Sequence, residues 1–292
     1  MIQLHFSPKR WRKSLFLLWT GLLSTSLWAQ QWALTWSDEF NGAAGSPPAL
    51  KDWNFENGWG PKDNHEIQWY CEPNSNAGPC EAKAPNLYED GKGNLVLRAI
   101  HVGNRWSSAR LNTAHKHQAL YGRVEARLRF DSGEGFWPAF WLPGSCNARP
   151  AWPTCGELDV MEWVQKYETR MTSSAAHGPG YSGAHGISRR AILSQGQRVD
   201  DGQFHTYGVT WSPRRVEFYR DNPETPFFVL TPDDLPAGAK WVYDHPFYVV
   251  FNFAVSEQGF GGNVSSMTPR TGSMWVDYVR FYQKVRQHTS TR

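Results

Sequence analysis

The chain has 292 residues, 40% hydrophobic and 20% charged, with 26 Gly, 19 Pro and 16 Trp. A folded chain of this length buries roughly 75% of its extended surface, so one large globular domain or two small ones fit, while disorder, collagen and a coiled coil are excluded. The formal charge of +3 hints at a polyanionic partner, yet Lys9, Arg10, Arg12 and Lys13 lie in an acid-free segment before Gln30, and removing them takes the charge to −1.

That first segment sets the basic run before an apolar stretch, Leu15 to Leu23, and then small and polar residues ending at Ala29. This is the order of a secretory signal peptide, with cleavage expected after Ala29. The apolar run is shorter than the roughly 20 residues of a membrane span, and Ser24, Thr25 and Ser26 interrupt it. No Cys follows to accept a lipid anchor. Residues 1–29 are therefore read as a leader, residues 30–285 as one domain and residues 286–292 as a flexible tail. Secretion makes the mature protein extracellular or periplasmic.

Export makes the four cysteines readable as disulfides. They fall as two local pairs with the same spacing, Cys71/Cys80 and Cys146/Cys155, each around a loop containing Pro and Asn. Four cysteines allow three connectivities; the local pairing is the expected one. A zinc site is not supported, because no C-x-x-C spacing or nearby His cluster is present.

After the leader no long amphipathic helix appears. Strand-like runs separated by Gly, Pro, Asn and Asp clusters follow one another at Asn94 to His101, Arg123 to Phe130, Phe136 to Leu142, Gly156 to Val164, Phe204 to Trp211, Arg215 to Arg220, Phe247 to Val255 and Met274 to Tyr282. In Arg123 to Phe130 the residues Val124, Ala126, Leu128 and Phe130 alternate strictly with Arg123, Glu125, Arg127 and Arg129, the pattern of a half-buried strand. Many short strands with turns between them predict an all-β antiparallel sandwich or barrel, and no linker or repeat divides it.

The most informative stretch is GELDVMEW, Gly156 to Trp163. Glu157 and Asp159 share one face of a strand, whereas Glu162 stands at an odd offset from Glu157 and falls on the other. A β-bulge at Val160 or Met161 brings all three carboxylates to one surface. Clustered acids repel, which raises at least one pKa and supplies a carboxylic acid near neutral pH beside an ionised neighbour. Two carboxyl groups held in different protonation states can serve as proton donor and as nucleophile or base to a bond placed between them. Just upstream, Trp137 and Trp141 share one strand face and Phe136 and Phe140 the other. Flat indoles suit the apolar faces of sugars.

An ordered string of segments now carries a resemblance. TWSDEF (Thr35 to Phe40), NHEIQWY (Asn64 to Tyr70), GNLVLRA (Gly93 to Ala99), YGRVEARLR (Tyr121 to Arg129), GEGFWPAFWLPG (Gly133 to Gly144), WPTCGELDVMEW (Trp152 to Trp163), HGPGYSG (His177 to Gly183), FHTYGVTWSP (Phe204 to Pro213) and WVDYVRFYQ (Trp275 to Gln283) occur in the family's order over nearly all the chain after the leader. The sequence resembles glycoside hydrolase family 16, within it the laminarinase-like endo-β-1,3-glucanases. The resemblance implies a β-jelly roll with a concave substrate cleft, Glu157 as nucleophile, Glu162 as acid/base and Asp159 assisting between them. Trp137 and Trp141 are implied to line the subsites nearest the cleaved bond. Trp163 is expected to border the leaving-group side, and His177, Asn64 and Asn252 match polar cleft positions.

The implied substrate is a β-glucan, laminarin-like or of mixed linkage, cleaved internally with retention. A galactan hydrolase of the agarase or carrageenase type and a non-catalytic β-glucan-binding protein are the other readings. A sulfated substrate would call for added basic residues, for which Arg149, Arg189 and Arg190 are the candidates. The binding-protein reading is disfavoured because all three carboxylates are present. The expected partner is the polysaccharide, without nucleic acid or a membrane span in the mature chain, and the expected state is a monomer. No cofactor is required. Some relatives hold a structural calcium where the first and last matched segments meet, near Glu39 and Asp277, but such an ion takes six to eight oxygens.

Two departures stand out. NFAVSEQGFGG (Asn252 to Gly262) replaces the commoner NxAVGG, and His65 and Trp69 replace Asn and Tyr in NHEIQWY. Asn263-Val264-Ser265 is a glycosylation sequon, meaningful only in a eukaryotic secretory pathway.

Overall fold

The computed structural model describes residues 32–285, so the leader and the tail lie outside the described residues. Two large sheets pack face to face. The sheet that matters for function contains, in chain order, β1 (Asn54–Phe55), β2 (Arg110–Asn112), β3 (Phe136–Pro143), β4 (Glu157–Glu162), β5 (Met171–His177), β6 (Ile187–Ile192) and β7 (Val250–Val255). Their spatial order is β6-β5-β4-β3-β7-β2-β1, all antiparallel. The opposing sheet is built around Gly122–Phe130 and the long Thr271–Lys284 strand, flanked by His205–Ser212 on one side and Leu95–Val102 on the other. Sequence-distant neighbours in both sheets give the crossing connections of a jelly roll, as predicted.

Alternation explains the packing. Val124, Ala126, Leu128 and Phe130 are at most 3% exposed and meet Phe136, Phe140, Leu158, Val160 and Met161 from the facing sheet. Phe140 stacks on Phe251 across strands at 5.0 Å. Except at the adjacent Val160 and Met161, these residues alternate with ones on the outer face, so fixing the core also fixes which side chains open on the cleft.

The predicted strands recur with shifts of a few residues at most, except that Phe247 to Val255 is interrupted at Val249. β5 and β6 have no counterpart in the sequence reading. β5 reads MTSSAAH and is buried on both faces, but by Ser, Thr and Ala, so hydrophobic alternation is absent. One pair, Gln68–Tyr70 with Arg105–Ser108, runs parallel.

Both expected disulfides are formed, Cys71–Cys80 and Cys146–Cys155. The second ends one residue before Gly156, whose φ of 72° starts β4 in a conformation that favours glycine. Closing a loop of this length restricts the unfolded chain. Replacing Cys146 and Cys155 together by Ser is expected to cost about 2–3 kcal/mol. Denaturant midpoints of the paired variant and the parent, read without reductant, check this.

Candidate active site

β4 turns its apolar residues inward and its acids outward. Leu158, Val160 and Met161 are at most 1% exposed in the core. Against β3, Met161 pairs with Phe140 and Asp159 with Trp141, leaving Val160 without a partner. Against β5, Asp159 pairs with Ala175 and Glu162 with Ser173, so three steps on β4 meet two on β5. This is the bulge the parity argument required, and it places Glu162 on the face of Glu157 and Asp159.

His177 lies opposite Glu157 in the register. Its Nε2 is 2.9 Å from Asp159 Oδ2 and 3.9 Å from Glu157 Oε1. Oxygens of both acids and the imidazole nitrogen lie within 4.8 Å of one another. Gly186 makes room for the ring: a Cβ there would overlap the His177 imidazole. Asp159 thus has an imidazole for its close partner.

The indoles hold the other ends. Trp137 Nε1 donates to Glu162 Oε1 at 3.0 Å, and Trp141 Nε1 donates to Asn252 Oδ1 at 2.7 Å. Both rings are half-buried on the cleft face, opposite the fully buried Phe136 and Phe140. The Arg110 guanidinium sits 4.8 Å from the Trp141 ring centre and pairs with Glu56 at 3.0 Å. Beyond it, the buried Glu66 accepts hydrogen bonds from Tyr70 Oη and Gln68 Nε2, both at 2.7 Å.

Burial raises the pKa of all three acids. Glu157 is pushed up to about 8, first by burial and then by the Asp159 charge, with His177 and Arg110 pulling it back. Asp159 is raised by burial. Glu162 is raised well above the carboxylate range by burial and then by Asp159, against the Trp137 hydrogen bond. The site therefore retains protons at neutral pH and holds fewer than three negative charges.

The remaining expected residues are distributed as follows. Asn252 is buried and acts on Trp141, positioning it. Asn64 is exposed on a short 3-10 helix, with its amide 3.4 Å from Glu66 Oε1. Trp163 corrects an expectation: it is 2% exposed, packs on Phe130 and bonds the Glu168 carbonyl, because the bulge sends the residue after Glu162 into the core. Arg189 lies 5.7 Å from Phe228 of the other sheet, whereas Arg190 is on the cleft face. Arg110 and Glu56 escaped the sequence reading, since an Arg–Glu pair formed between distant strands has no local signature; Glu66 and Tyr70 lay inside a quoted motif without being singled out.

The calcium expectation does not fit its residues. Arg280 engages both Glu39 oxygens, at 2.9 and 2.8 Å, and Arg127 engages Asp277. Each carboxylate is already neutralised by a guanidinium, which competes with a cation for the same lone pairs.

A jelly roll whose concave sheet carries clustered acids between indoles has the make-up of a polysaccharide-cleaving enzyme. The family described as glycosyl hydrolases family 16 matches residues 76–258. A β-glucanase of Rhodothermus marinus is 33% identical over 270 residues, covering 88% of this chain and 87% of its own. The catalytic domain of an endo-1,3-β-glucanase (laminarinase) from Thermotoga petrophila RKU-1 superposes with a TM-score of 0.77 at 32% identity, covering 88% of this chain and all of that one. The endo-β-1,3-glucanase of Pyrococcus furiosus gives 0.76 at 36% identity, covering 88% and 97%. The chain belongs to glycosyl hydrolases family 16 and is a glycoside hydrolase.

The raised carboxylates carry a cost that titration exposes. With Glu157 at about 8 folded and 4.5 as its ordinary value, the folded state binds more protons between those values, so stability falls as pH rises through that window. Glu157→Gln removes the penalty. The variant should melt several degrees above the parent at pH 8, with the gain vanishing near pH 4.5, as followed by calorimetry.

Proposed function

We propose that this chain is a secreted, retaining endo-β-1,3-glucanase acting on laminarin-like or mixed-linkage β-glucans. The observation that carries the reading is the bulged strand β4, which presents Glu157, Asp159 and Glu162 on one face between Trp137 and Trp141. The similarity to named β-glucanases and laminarinases supports the substrate class. The two disulfides and the apolar leader support export, and among the described residues no helix is long and apolar enough to cross a membrane. Residues 1–29 are the leader in this reading and residues 30–285 the catalytic domain.

In this mechanism Glu157 is the nucleophile. It is the acid nearest solvent, and His177 and Arg110 favour its ionised form against burial and the Asp159 charge. Its oxygen attacks the anomeric carbon as the glycosidic bond breaks, and Glu162 gives its proton to the departing oxygen. Glu162 is fitted to the task because burial keeps it protonated and the Trp137 indole orients the carboxyl. Water then enters where the leaving sugar was; Glu162 takes its proton, and the oxygen displaces Glu157 from the anomeric carbon. Asp159, whose Oδ2 lies 2.9 Å from His177 Nε2, stands between the two glutamates.

Incubation with laminarin, lichenan, agarose and carrageenan, followed by product sizing and early NMR of the anomer formed, tests the whole reading. Internal cuts in laminarin with a retained β-anomer are expected. Cleavage of the galactans alone, an inverted product, or binding without release would each overturn it. Glu157→Gln and Glu162→Gln should each lose at least about a thousandfold in kcat on laminarin. On a dinitrophenyl β-glucoside oligomer, whose leaving group needs no proton, Glu162→Gln should keep forming the glycosyl-enzyme and lose the alkaline limb of the pH profile.

A further inference from the structure

The row of cross-strand neighbours through Glu162 runs on to the edge of the sheet. Glu162 pairs with Ser173 on β5, and Ser173 pairs with Arg190 on β6. Directly paired residues share a face, so all three open on the cleft. With strands about 4.8 Å apart, the Arg190 backbone is roughly 10 Å from that of Glu162. Between them Ser173 is 2% exposed, and its Oγ has no hydrogen-bond partner. The Tyr167 side chain lies beside both Ser173 and Arg190, so the hydroxyl is enclosed by the protein and the accessible end of the row is Arg190.

Aromatic rings and cations gather at the same place. Lys166 Nζ is 4.1 Å from the centre of the Phe260 ring and 5.6 Å from that of Tyr167, which also has the Arg190 guanidinium at 5.3 Å. Among the described residues neither cation is within ion-pairing distance of a carboxylate. Burial and the nearby Arg190 hold the Lys166 ammonium below its ordinary pKa. Phe260 itself arrives on the loop that departs from NxAVGG. That loop is tied by Gln258 N to Gly262 O at 2.9 Å and Ser256 Oγ to Gln258 O at 2.8 Å. Its Gly261 lies so close to Trp137 that a Cβ would sit 2.9 Å from the indole. Phe260 and Trp137 are 5.1 Å apart between ring centres, so one aromatic wall runs outward from Glu162.

We infer that Arg190, Lys166 and Phe260 form a subsite for a sugar bearing an oxyanion, a carboxylate or a sulfate ester, on the leaving-group side of the cleaved bond. The ring face of the sugar lies on Phe260 and the oxyanion on Arg190 and Lys166. A guanidinium matches either oxyanion with two parallel hydrogen bonds, whereas a neutral hexose leaves both cations uncompensated. The side of the bond rests on Glu162 being the acid in the glucanase reading.

The test compares laminarin with lightly carboxymethylated and lightly sulfated laminarin, using kcat/KM and, separately, retardation of the Glu157→Gln protein in gels containing each polymer. At low salt, kcat/KM on at least one anionic polymer should exceed that on neutral laminarin, and the advantage should shrink as salt screens it. The anionic-to-neutral ratio should fall about tenfold in Arg190→Gln and in Lys166→Met, with partial recovery in Arg190→Lys. A response to one polymer only assigns the oxyanion. A parent ratio at or below one, indifferent to salt and to both variants, overturns the inference, as does a variant that lowers both substrates equally. Cleavage of neutral laminarin without any charge effect sinks this inference and leaves the glucanase reading intact. No cleavage of any polymer, with charge-dependent retardation retained, does the reverse.

Discussion

One unpaired residue in β4 governs the rest of the molecule. A regular strand would send Glu162 into the core with Leu158 and put Met161 in the cleft. The unpaired Val160 lets both Val160 and Met161 stay buried while the third acid emerges beside the first two. The same extra residue turns Trp163 inward. Sandwich packing tolerates the bulge because its cost is offset by two buried apolar side chains, so the core and the site share one solution.

The site is assembled across strands more than along them. Arg110, Asn252, Ala139, Glu162, Ser173 and Arg190 form a single cross-strand row, with Ala139, the one small apolar member, between Asn252 and Glu162. A parallel row runs Val250, Trp141, Asp159, Ala175 and Ser188. The small residues at Ala139 and Ala175 keep the floor open where large side chains would fill it. The cleft is therefore a consequence of register: wherever Phe140 and Phe251 are locked in the core, the residues that flank them are committed to the opposite face.

Much of this was legible in the sequence, for identifiable reasons. The alternation in Arg123 to Phe130, the parity of Glu157, Asp159 and Glu162, and the local cysteine spacing each depend on residues near one another in the chain. β5 and β6 were not legible, because β5 is buried by Ser, Thr and Ala and gives no hydrophobic period. Asp159 meeting His177 in a salt-bridge geometry, and Arg110 lying between Trp141 and Glu56, are products of tertiary register that no local pattern encodes. Trp163 shows the limit most plainly: its composition and position suit a sugar platform, and only the direction imposed by the bulge assigns it to the core.

Charge, finally, has to be considered at two scales. Over the whole chain the balance is near zero once the basic leader is set aside, which suits a neutral polymer and gives no long-range steering. Within the cleft the distribution is polar: three acids of raised pKa that share fewer than three charges at the centre, and unneutralised cations toward the β6 edge. Net charge and local field are separate constraints, because a Debye length of about 8 Å confines an exposed charge to its own subsite. Recognition of the sugar faces then falls to Trp137, Trp141 and Phe260, and Glu162 is left free to hold its proton until a glycosidic oxygen arrives.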